Sequence, residues 1–325
     1  MKIFVTGAAG FIGSVVTQRL IEEGYDVLGY DNLSKGHTQA VDPKAKFVEG
    51  DIRDAGLVNK TLGDFRPDAV LHLAAEALID ESIKNPGIFF ETNNHGGVVL
   101  LEAMRAVGCN RMIFSSTAAT YGEPKYMPID EDHPKEPVNA YGESKIQFER
   151  VMYWYRRSFG LNHVSFRYFN ACGASEKYGE ARSKETHIIP LLFETALGHR
   201  KQFHLFGTDY DTPDGTCMRD YVHVIDIANA HILGLRKVDE IGERAYNIGS
   251  GNGNTNLEVI QAVREVTGKE IPTVNDERRP GDPARLMASS DRIRAELGWQ
   301  PQFADIKSMV ESAWAWRQRH PNGYQ

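Results

Sequence analysis

The chain has 325 residues, of which 41% are hydrophobic and 25% charged, and its net charge is −7. These proportions are typical of a globular protein of one large domain or two linked ones. No apolar run approaches the ~20 residues that a membrane helix needs. The negative charge gives no general attraction for nucleic acid, so we expect neither a membrane nor a nucleic-acid partner.

The cysteines are Cys109, Cys172 and Cys217, an odd and sparse set without paired spacing. This pattern argues against a disulfide scaffold and against a zinc knuckle, and we expect no metal site. The N-terminal MKIFVTGAAG has too short an apolar part for a signal peptide. Together these features predict a cytoplasmic protein.

The first half of the chain alternates between β-rich runs and segments with helical spacing. The predicted strands are 2–7, 26–32, 46–52, 68–75, 111–116 and 162–169. The predicted helices are 11–24, 54–63, 86–107 and 140–159. Such alternation predicts an α/β fold, a Rossmann-like doubly wound parallel sheet with helices on both faces. After about residue 170 long polar stretches appear, and loops of that length are usually functional.

The first strand and helix are joined by TGAAGFIGS. Gly7, Gly10 and Gly13 allow a tight turn and a close approach to a pyrophosphate, which the helix N-terminus can bind. Asp31 at the end of the second strand can bind both ribose hydroxyls and would repel a 2′-phosphate. This favours NAD over NADP, although Lys35 lies close by. The alternatives are that the glycines form only a turn, without a ligand, and that Asp31 is an ordinary turn residue.

Two short segments, YGEPK and YGESK, each place a tyrosine four residues before a lysine. Such a pair can act together only in a helix, where residues i and i+4 lie close together on one face. The second segment continues with a helical apolar face, whereas Pro124 and three later prolines break the first. We therefore predict that Tyr141 and Lys145 act together, and that Tyr121 and Lys125 are splayed along a loop.

A tyrosine that acts as a base near neutrality needs its pKa, ~10 when free, lowered by about 3 units, or roughly 4 kcal/mol. One positive charge about 5 Å away supplies roughly 3 kcal/mol at an effective dielectric near 20. We therefore predict that Lys145 and an oxidised nicotinamide ring together stabilise Tyr141 as a phenolate near neutral pH. An exposed Tyr–Lys pair on a helix is the alternative.

The strand RMIFSST runs into hydroxyl side chains at its carboxyl end, where ligands bind in open α/β sheets. Thr117 is the best candidate to hydrogen-bond the same substrate oxygen as Tyr141, whereas Ser115 fits an ordinary strand residue. A glycine turn, an acidic residue, a strand-end hydroxyl and a helical Tyr–Lys pair, in this order, are jointly specific.

With these motifs the chain resembles the extended short-chain dehydrogenase/reductase family, and within it the UDP-glucose 4-epimerases. The resemblance spans essentially the whole chain and includes RYFN, FGTDYDTPDGTCMRDYVHV, YNIGSGNG and RRPGDPA. It implies NAD as cofactor, a UDP-sugar substrate, a homodimer, and reversible hydride transfer at sugar C4 that interconverts UDP-galactose and UDP-glucose. It also implies an NAD-binding domain over 1–170 and a UDP-sugar-binding domain over 171–325, with part of 221–250 returning to the first.

The resemblance assigns site residues as well. The catalytic set is Thr117, Tyr141 and Lys145. The positions implied to contact NAD are Gly7, Gly10, Phe11, Ile12, Gly13, Asp31, Asn32, Asp51, Ile52, Leu73, Ala74, Ala75, Asn94, Tyr141, Lys145 and Phe169. Those implied to contact the UDP-sugar are Thr117, Ala118, Ala119, Asn170, His187, Phe206, Arg219, Arg279, Asp282 and Leu286. His187 alternatively starts a helix, and a lone arginine more often forms a surface salt bridge.

The chain departs from parts of the family at a few positions. Ala77 stands where many relatives have a lysine that contacts the cofactor, which leaves the tightness of NAD binding open. Thr117 replaces a commoner serine and keeps the hydroxyl. Ala118 and Ala119 stand where dehydratases of the family carry an aspartate and a glutamate, which disfavours dehydration. The other alternative, a non-catalytic NAD-sensing protein, would lack the catalytic tyrosine.

Leu286 follows the R-x-G-D stretch at a position that lines the sugar pocket in the resembling enzymes. A tyrosine there goes with enzymes confined to UDP-glucose and UDP-galactose, and a smaller residue with those that also accept N-acetylated sugars. Leucine therefore predicts room for an N-acetyl group at sugar C2, unless neighbours such as Met287 close the space.

Overall fold

The computed structural model describes residues 1–182, 184–279 and 282–324. Its strands, in chain order, are β1 (Lys2–Thr6), β2 (Asp26–Asp31), β3 (Lys46–Glu49), β4 (Ala69–His72), β5 (Arg111–Thr117), β6 (Asn162–Tyr168), β7 (Asn170–Cys172), β8 (Phe203–Phe206), β9 (Met218–His223), β10 (Glu243–Ile248), β11 (Gly253–Thr255), β12 (Thr273–Asp276) and β13 (Arg285–Leu286). Its helices are α1 (Phe11–Glu22), α2 (Ala55–Phe65), α3 (Ile79–Lys84), α4 (Pro86–Phe89), α5 (Gly96–Val107), α6 (Ala140–Phe159), α7 (Ile188–Ala196), α8 (Val224–Ile241), α9 (Asn256–Thr267), α10 (Asp291–Leu297) and α11 (Ile306–Arg319). A π-helical segment, Phe90–His95, joins α4 to α5.

The main sheet has seven parallel strands in the order β10-β6-β5-β4-β1-β2-β3. Its central strands are almost wholly apolar because helices cover both faces; Ile3, Phe4 and Val5 of β1 are fully buried. The register pairs Thr6 with His72, so the carboxyl ends of β1 and β4 lie side by side. The predicted α/β fold class, a Rossmann-like doubly wound sheet, is confirmed.

Two hydrophobic layers flank this sheet. On one face α1 and α8 bury residues such as Val15 and Ile227 against the strands. On the other face α2, α5 and α6 bury residues such as Leu101 and Phe148. The second layer fixes α6, the helix that carries the YGESK segment, against the central strands.

The residues after β6 also build two smaller sheets. In one of them β9 pairs with β7, β11 and β13, and in the other β8 pairs with β12. Helices α7, α9 and α11 pack over these strands around a third core that includes Leu192, Val259 and Met309. The register of β13 on β9 sets Leu286 beside Arg219, which brings two distant segments to one wall.

The six strands predicted in the first half of the chain are all present, although β3 and β4 end earlier than expected. Helix α6 has the predicted bounds. The predicted helix over 86–107 is interrupted by the π-helical turn, which the apolar spacing did not signal. Within the described ranges, no helix has the length and apolar content required to cross a membrane.

Candidate active site

A cavity of about 520 Å³ opens at the carboxyl ends of β1, β4 and β5, with the glycine turn on one side. Gly7 has a φ of +72°, and a Cβ at Gly13 would lie only 1.9 Å from the Gly7 carbonyl oxygen. The turn therefore requires glycine at both positions. No described side chain caps the N-terminus of α1, so its free N–H groups are available to an anionic group. The turn fits a dinucleotide.

Most of the predicted cofactor residues line this cavity. They are Gly7, Gly10, Phe11, Ile12, Gly13, Leu73, Ala75, Tyr141, Lys145 and Phe169. The residues that lie outside the lining are Asp31, Asn32, Asp51, Ile52, Ala74 and Asn94. The Asp31 carboxylate accepts bonds from the backbone N–H groups of Ala9 and Leu33, and Asn32 donates to Asp51. These side chains brace the turns beside the cavity, and their contact with NAD stays a prediction.

Helix α6 positions the predicted Tyr–Lys pair. Its N-cap is Asn139, whose side chain accepts a hydrogen bond from the backbone N–H of Gly142 at 2.9 Å. Tyr141 and Lys145 follow within the first two turns and both line the cavity. The predicted helical geometry of YGESK is confirmed.

The matching segment YGEPK lies outside the helices, as predicted, and Lys125 pairs with Glu136 at the surface. Tyr121 and Lys125 are therefore splayed apart in this loop, as predicted, but Tyr121 is not a surface residue. It is fully buried, and its hydroxyl donates to Asn247 Oδ1 at 2.6 Å and accepts from Arg167 at 2.9 Å. The tyrosine is held by these long-range bonds, which the proline-rich local sequence does not reveal.

The electrostatic surroundings of Tyr141 differ from those predicted. Burial raises the pKa of its phenol, while a hydrogen bond from the Thr117 side chain and the guanidinium of Arg182 lower it. Among the described groups, Arg182 is the cation that lowers this pKa, and the joint contribution of Lys145 and bound NAD⁺ stays a prediction. The cost of desolvation is the largest effect on this pKa.

The Lys145 ammonium lies on the strand side of α6. Its Nζ donates to the carbonyl oxygen of Ser115 at 2.8 Å and sits 4.8 Å from the centre of the Phe114 ring. Burial lowers the pKa of Lys145 to about 7, and the Glu149 carboxylate opposes that shift. The side chain is therefore poised between its charged and neutral forms near neutral pH.

A second cavity, of about 630 Å³, lies between the main sheet and the smaller sheets. It is lined by all ten residues predicted to contact the UDP-sugar: Thr117, Ala118, Ala119, Asn170, His187, Phe206, Arg219, Arg279, Asp282 and Leu286. Thr117 lines both cavities. The strand-end hydroxyl thus stands where the two spaces meet, beside Tyr141.

The two arginines predicted to contact the UDP-sugar both line the second cavity. Arg219 pairs with the carboxylate of Asp282, and Arg279 stacks over the ring of Phe206 at 4.1 Å. A diphosphate that binds Arg219 has to share this guanidinium with Asp282. The middle of the RRPGDPA motif, residues 280–281, lies outside the described residues.

His187 is the N-cap residue of α7 and also lines both cavities, so its two predicted placements coexist. Its Nδ1 lies 2.8 Å from Glu185 Oε1 and 3.4 Å from Glu180 Oε1. Burial alone would lower the pKa of His187, but the two carboxylates outweigh it and raise that pKa.

The sequence prediction missed a set of groups on the segment that crosses the first cavity. Arg182 lies there, bonded to Glu180 at 2.7 Å, and Lys184 pairs with Glu81 of α3. The near-terminal Tyr324 holds the same segment through two 3.1 Å bonds with Gly179. The polar composition of this stretch indicated a functional loop, but only the fold brings these partners together.

Comparison with known proteins agrees with this geometry. The sequence model described as "NAD dependent epimerase/dehydratase family" matches residues 3–249. The chain belongs to this family. Its cofactor is accordingly NAD, and the glycine turn and the free N-terminus of α1 fit that dinucleotide.

Individual relatives resemble the chain over its full length. It is 46% identical over 327 residues to a UDP-glucose 4-epimerase of Lacticaseibacillus casei, covering 100% of this chain and 99% of that protein. A UDP-glucose 4-epimerase structure from Bifidobacterium longum, in complex with NAD⁺ and UDP, is 34% identical with a TM-score of 0.94 and 100% coverage of both chains. A UDP-Glc/GlcNAc 4-epimerase structure from Campylobacter jejuni is 36% identical with a TM-score of 0.87, covering 98% of this chain and 99% of that one.

Proposed function

We propose that the chain is an NAD-dependent UDP-glucose 4-epimerase that interconverts UDP-galactose and UDP-glucose. The observation that carries the proposal is the meeting of two cavities at Thr117, with Tyr141 and Lys145 beside it. In the proposed division, residues 1–170 hold NAD and 171–325 hold the UDP-sugar. The strand β10, within 221–250, pairs with β6 of the main sheet and supports a return of that part to the first domain.

The catalytic residues act on the sugar 4-hydroxyl. When bound, NAD supplies a reversible hydride acceptor for sugar C4 and, in its oxidised form, a positive charge near the phenol. Tyr141 as phenolate accepts the O4 proton while Thr117 donates a hydrogen bond to the same oxygen. Arg182 and Lys145 favour the negative phenolate electrostatically. After the C4–H bond re-forms on the opposite face, Tyr141 returns its proton to O4.

Inversion requires the 4-keto sugar to turn over while the nucleotide end stays bound. The second cavity provides this separation, because Arg219 and Arg279 supply charge for a diphosphate away from Tyr141. The wall next to Thr117 consists of Ala118 and Ala119, which cannot carry a proton. The site therefore supports epimerisation rather than the dehydration that other members of the family carry out.

The test is turnover of UDP-galactose by purified protein with no NAD added, read as UDP-glucose formation through a coupled dehydrogenase. We expect steady product formation. The assay also separates an enzyme from a non-catalytic NAD-sensing protein, which would bind cofactor but form no product. Absence of UDP-glucose with cofactor demonstrably bound would refute the proposed activity.

We expect the purified protein to retain NAD, because the reaction cycle returns the cofactor to its starting state and requires no release. Residues 179–182 and 184–187, tied by Tyr324 and by the Lys184–Glu81 pair, lie along the cofactor cavity and should slow the escape of NAD. Denaturing the protein and assaying the supernatant should give nearly one nicotinamide cofactor per chain.

Ala77 provides the matched variant for this measurement. It lines both cavities, at the position where many members of the resembling family carry a cofactor-contacting lysine. Ala77→Lys should slow NAD release further, and Ala77→Ser should leave it unchanged. Purified wild type without cofactor, dependent on added NAD for turnover, would contradict tight retention and identify Ala77 as the weak point.

We infer that the enzyme also accepts N-acetylated UDP-sugars. Leu286 is half-buried on the wall of the second cavity. Met287, the neighbour that would close the space, points away from it, since a Cβ at Gly253 would lie 2.4 Å from its Sδ. The space beside Leu286 therefore supports the inference that an acetamido group at sugar C2 fits there.

We also infer a cytoplasmic homodimer. The exposed face of α6 carries Trp154 and Phe159, which are 63% and 52% exposed, and aromatic residues of this kind are enriched at protein interfaces. The three cysteines are buried free thiols, which suits a reducing compartment. Light scattering of the purified protein measures the oligomeric state.

A further inference from the structure

Glu149 lies on α6 four residues beyond Lys145, so Tyr141, Lys145 and Glu149 occupy one face of the helix at equal intervals. Its side chain is only 11% exposed. The carboxylate accepts three hydrogen bonds, from Ser116 Oγ at 2.6 Å and from Arg167 Nε and Nη2 at 3.0 and 2.6 Å. A buried carboxylate is costly unless it is paired in this way.

These bonds join three elements at the reacting centre. Glu149 belongs to α6, Ser116 to β5 and Arg167 to β6. Ser116 directly precedes Thr117, whose side chain lowers the pKa of the Tyr141 phenol. The network therefore fixes the distance between the helix that carries the phenol and the strand end that carries the hydroxyl.

The same carboxylate is placed to act on the charge of Lys145. The Lys145 side chain is 2% exposed, and its hydrogen-bond partner, the Ser115 carbonyl, is neutral. Burial lowers the pKa of this ammonium to about 7, and Glu149 is the group that raises it. Loss of the carboxylate charge would therefore lower the pKa of Lys145 further.

Other titratable and charged groups surround Lys145 and Glu149 from each neighbouring element. They are Tyr141 on α6, His72 on β4, His163 and Arg167 on β6, and Tyr121 and Lys135 on the segment before α6. Tyr168 on β6 and Arg182 on the segment before α7 line the same cavity as Lys145. Burial lowers the pKa of His72 to about 3 and that of His163 to about 4, so both stay neutral near pH 7. The acidic influence on Lys145 among the described residues is Glu149.

We propose that Glu149 is a positioning residue for the reaction, holding α6 against β5 and β6 and supplying the negative charge that keeps Lys145 an ammonium. The proposal rests on the proposed epimerase activity, because turnover is its readout. Glu149 acts through Lys145, whose ammonium charge favours the Tyr141 phenolate in the proposed mechanism.

The test is the pH profile of kcat with UDP-galactose for Glu149→Gln. Glutamine keeps the shape and one acceptor for Ser116 but removes the charge. Because Lys145 must be protonated to act, activity is lost as pH rises through its pKa. We expect the alkaline limb of the variant to move to lower pH by about one unit. A role in packing alone would lower the melting temperature and leave the limb in place.

The matched control is Glu143→Gln on the same helix, where the lost carboxylate is bonded only to Gln147 among the described residues; its profile should match wild type. If Glu149→Gln does not fold because Arg167 is left buried and unpaired, the double variant Glu149→Gln/Arg167→Met removes that cation as well and should show the same shift. A folded, active variant with an unmoved limb overturns the proposal. Wild type without turnover at any pH instead refutes the epimerase assignment.

Discussion

Replacing Tyr141 with phenylalanine should lower kcat for UDP-galactose by about 10³-fold, within the range that a positioned acid–base group contributes. The variant removes the phenol oxygen that exchanges a proton with O4 and leaves the ring, which packs edge-on against Phe89. Because the packing of the ring is retained, the fold should lose little stability. Steady-state kinetics and a melting curve on the same sample measure both effects.

Tyr121→Phe is the matched control, since it makes the same substitution in the near-identical segment. Its hydroxyl joins Asn247 to Arg167 inside the protein, so its loss leaves buried polar groups unpaired at a cost of about 1–3 kcal/mol in folding free energy. We therefore expect a lower melting temperature with most of kcat retained. Equal losses of kcat in the two variants would contradict the assignment of Tyr141 as the catalytic tyrosine.

Leu286→Tyr should lower activity on UDP-N-acetylgalactosamine roughly 100-fold or more, while activity on UDP-galactose stays near wild type. The tyrosine ring would occupy the space beside sugar C2 that leucine leaves open on the wall formed by β13 and β9. A pocket excludes a bulky group by steric clash more effectively than it rejects a smaller one. Parallel kinetics with both substrates give the ratio directly.

Leu286→Met keeps a flexible apolar side chain of similar volume and should retain both activities. It separates the effect of filling the cavity from the effect of any substitution on β13. Wild type that fails to convert the N-acetylated substrate even at high enzyme concentration would show that other residues close the pocket. The enzyme would then be confined to UDP-glucose and UDP-galactose.

The features that the sequence predicted well depend on patterns of residues that are close together along the chain. The parallel sheet follows from alternating strands and helices, and α6 follows from its N-cap Asn139 and its apolar face. The glycine turn could be identified because Gly7 and Gly13 are needed at fixed offsets between a strand and a helix. The order of these motifs was sufficient to predict where Tyr141 and Lys145 meet Thr117.

The features that the sequence did not predict depend on partners distant along the chain. Tyr121 is buried because Asn247 arrives beside it from β10, 126 residues later. Arg182 reaches the cofactor cavity on a segment that Tyr324 holds from near the C-terminus. The sign of the pKa shift of Tyr141 depended on burial, which the spacing of two residues on a helix does not give. Only the assembled fold supplies these contacts.

The most direct test of the central claim is the fate of the hydrogen at sugar C4 when unlabelled UDP-galactose is converted in D₂O. If Tyr141 handles only the O4 proton and the C4 hydrogen leaves and returns as hydride, that hydrogen never exchanges with solvent. NMR of the product should then show UDP-glucose with ordinary hydrogen at C4. Deuterium at C4 of the product would contradict the mechanism, because it would mean that C4 is inverted through a solvent-exchangeable proton.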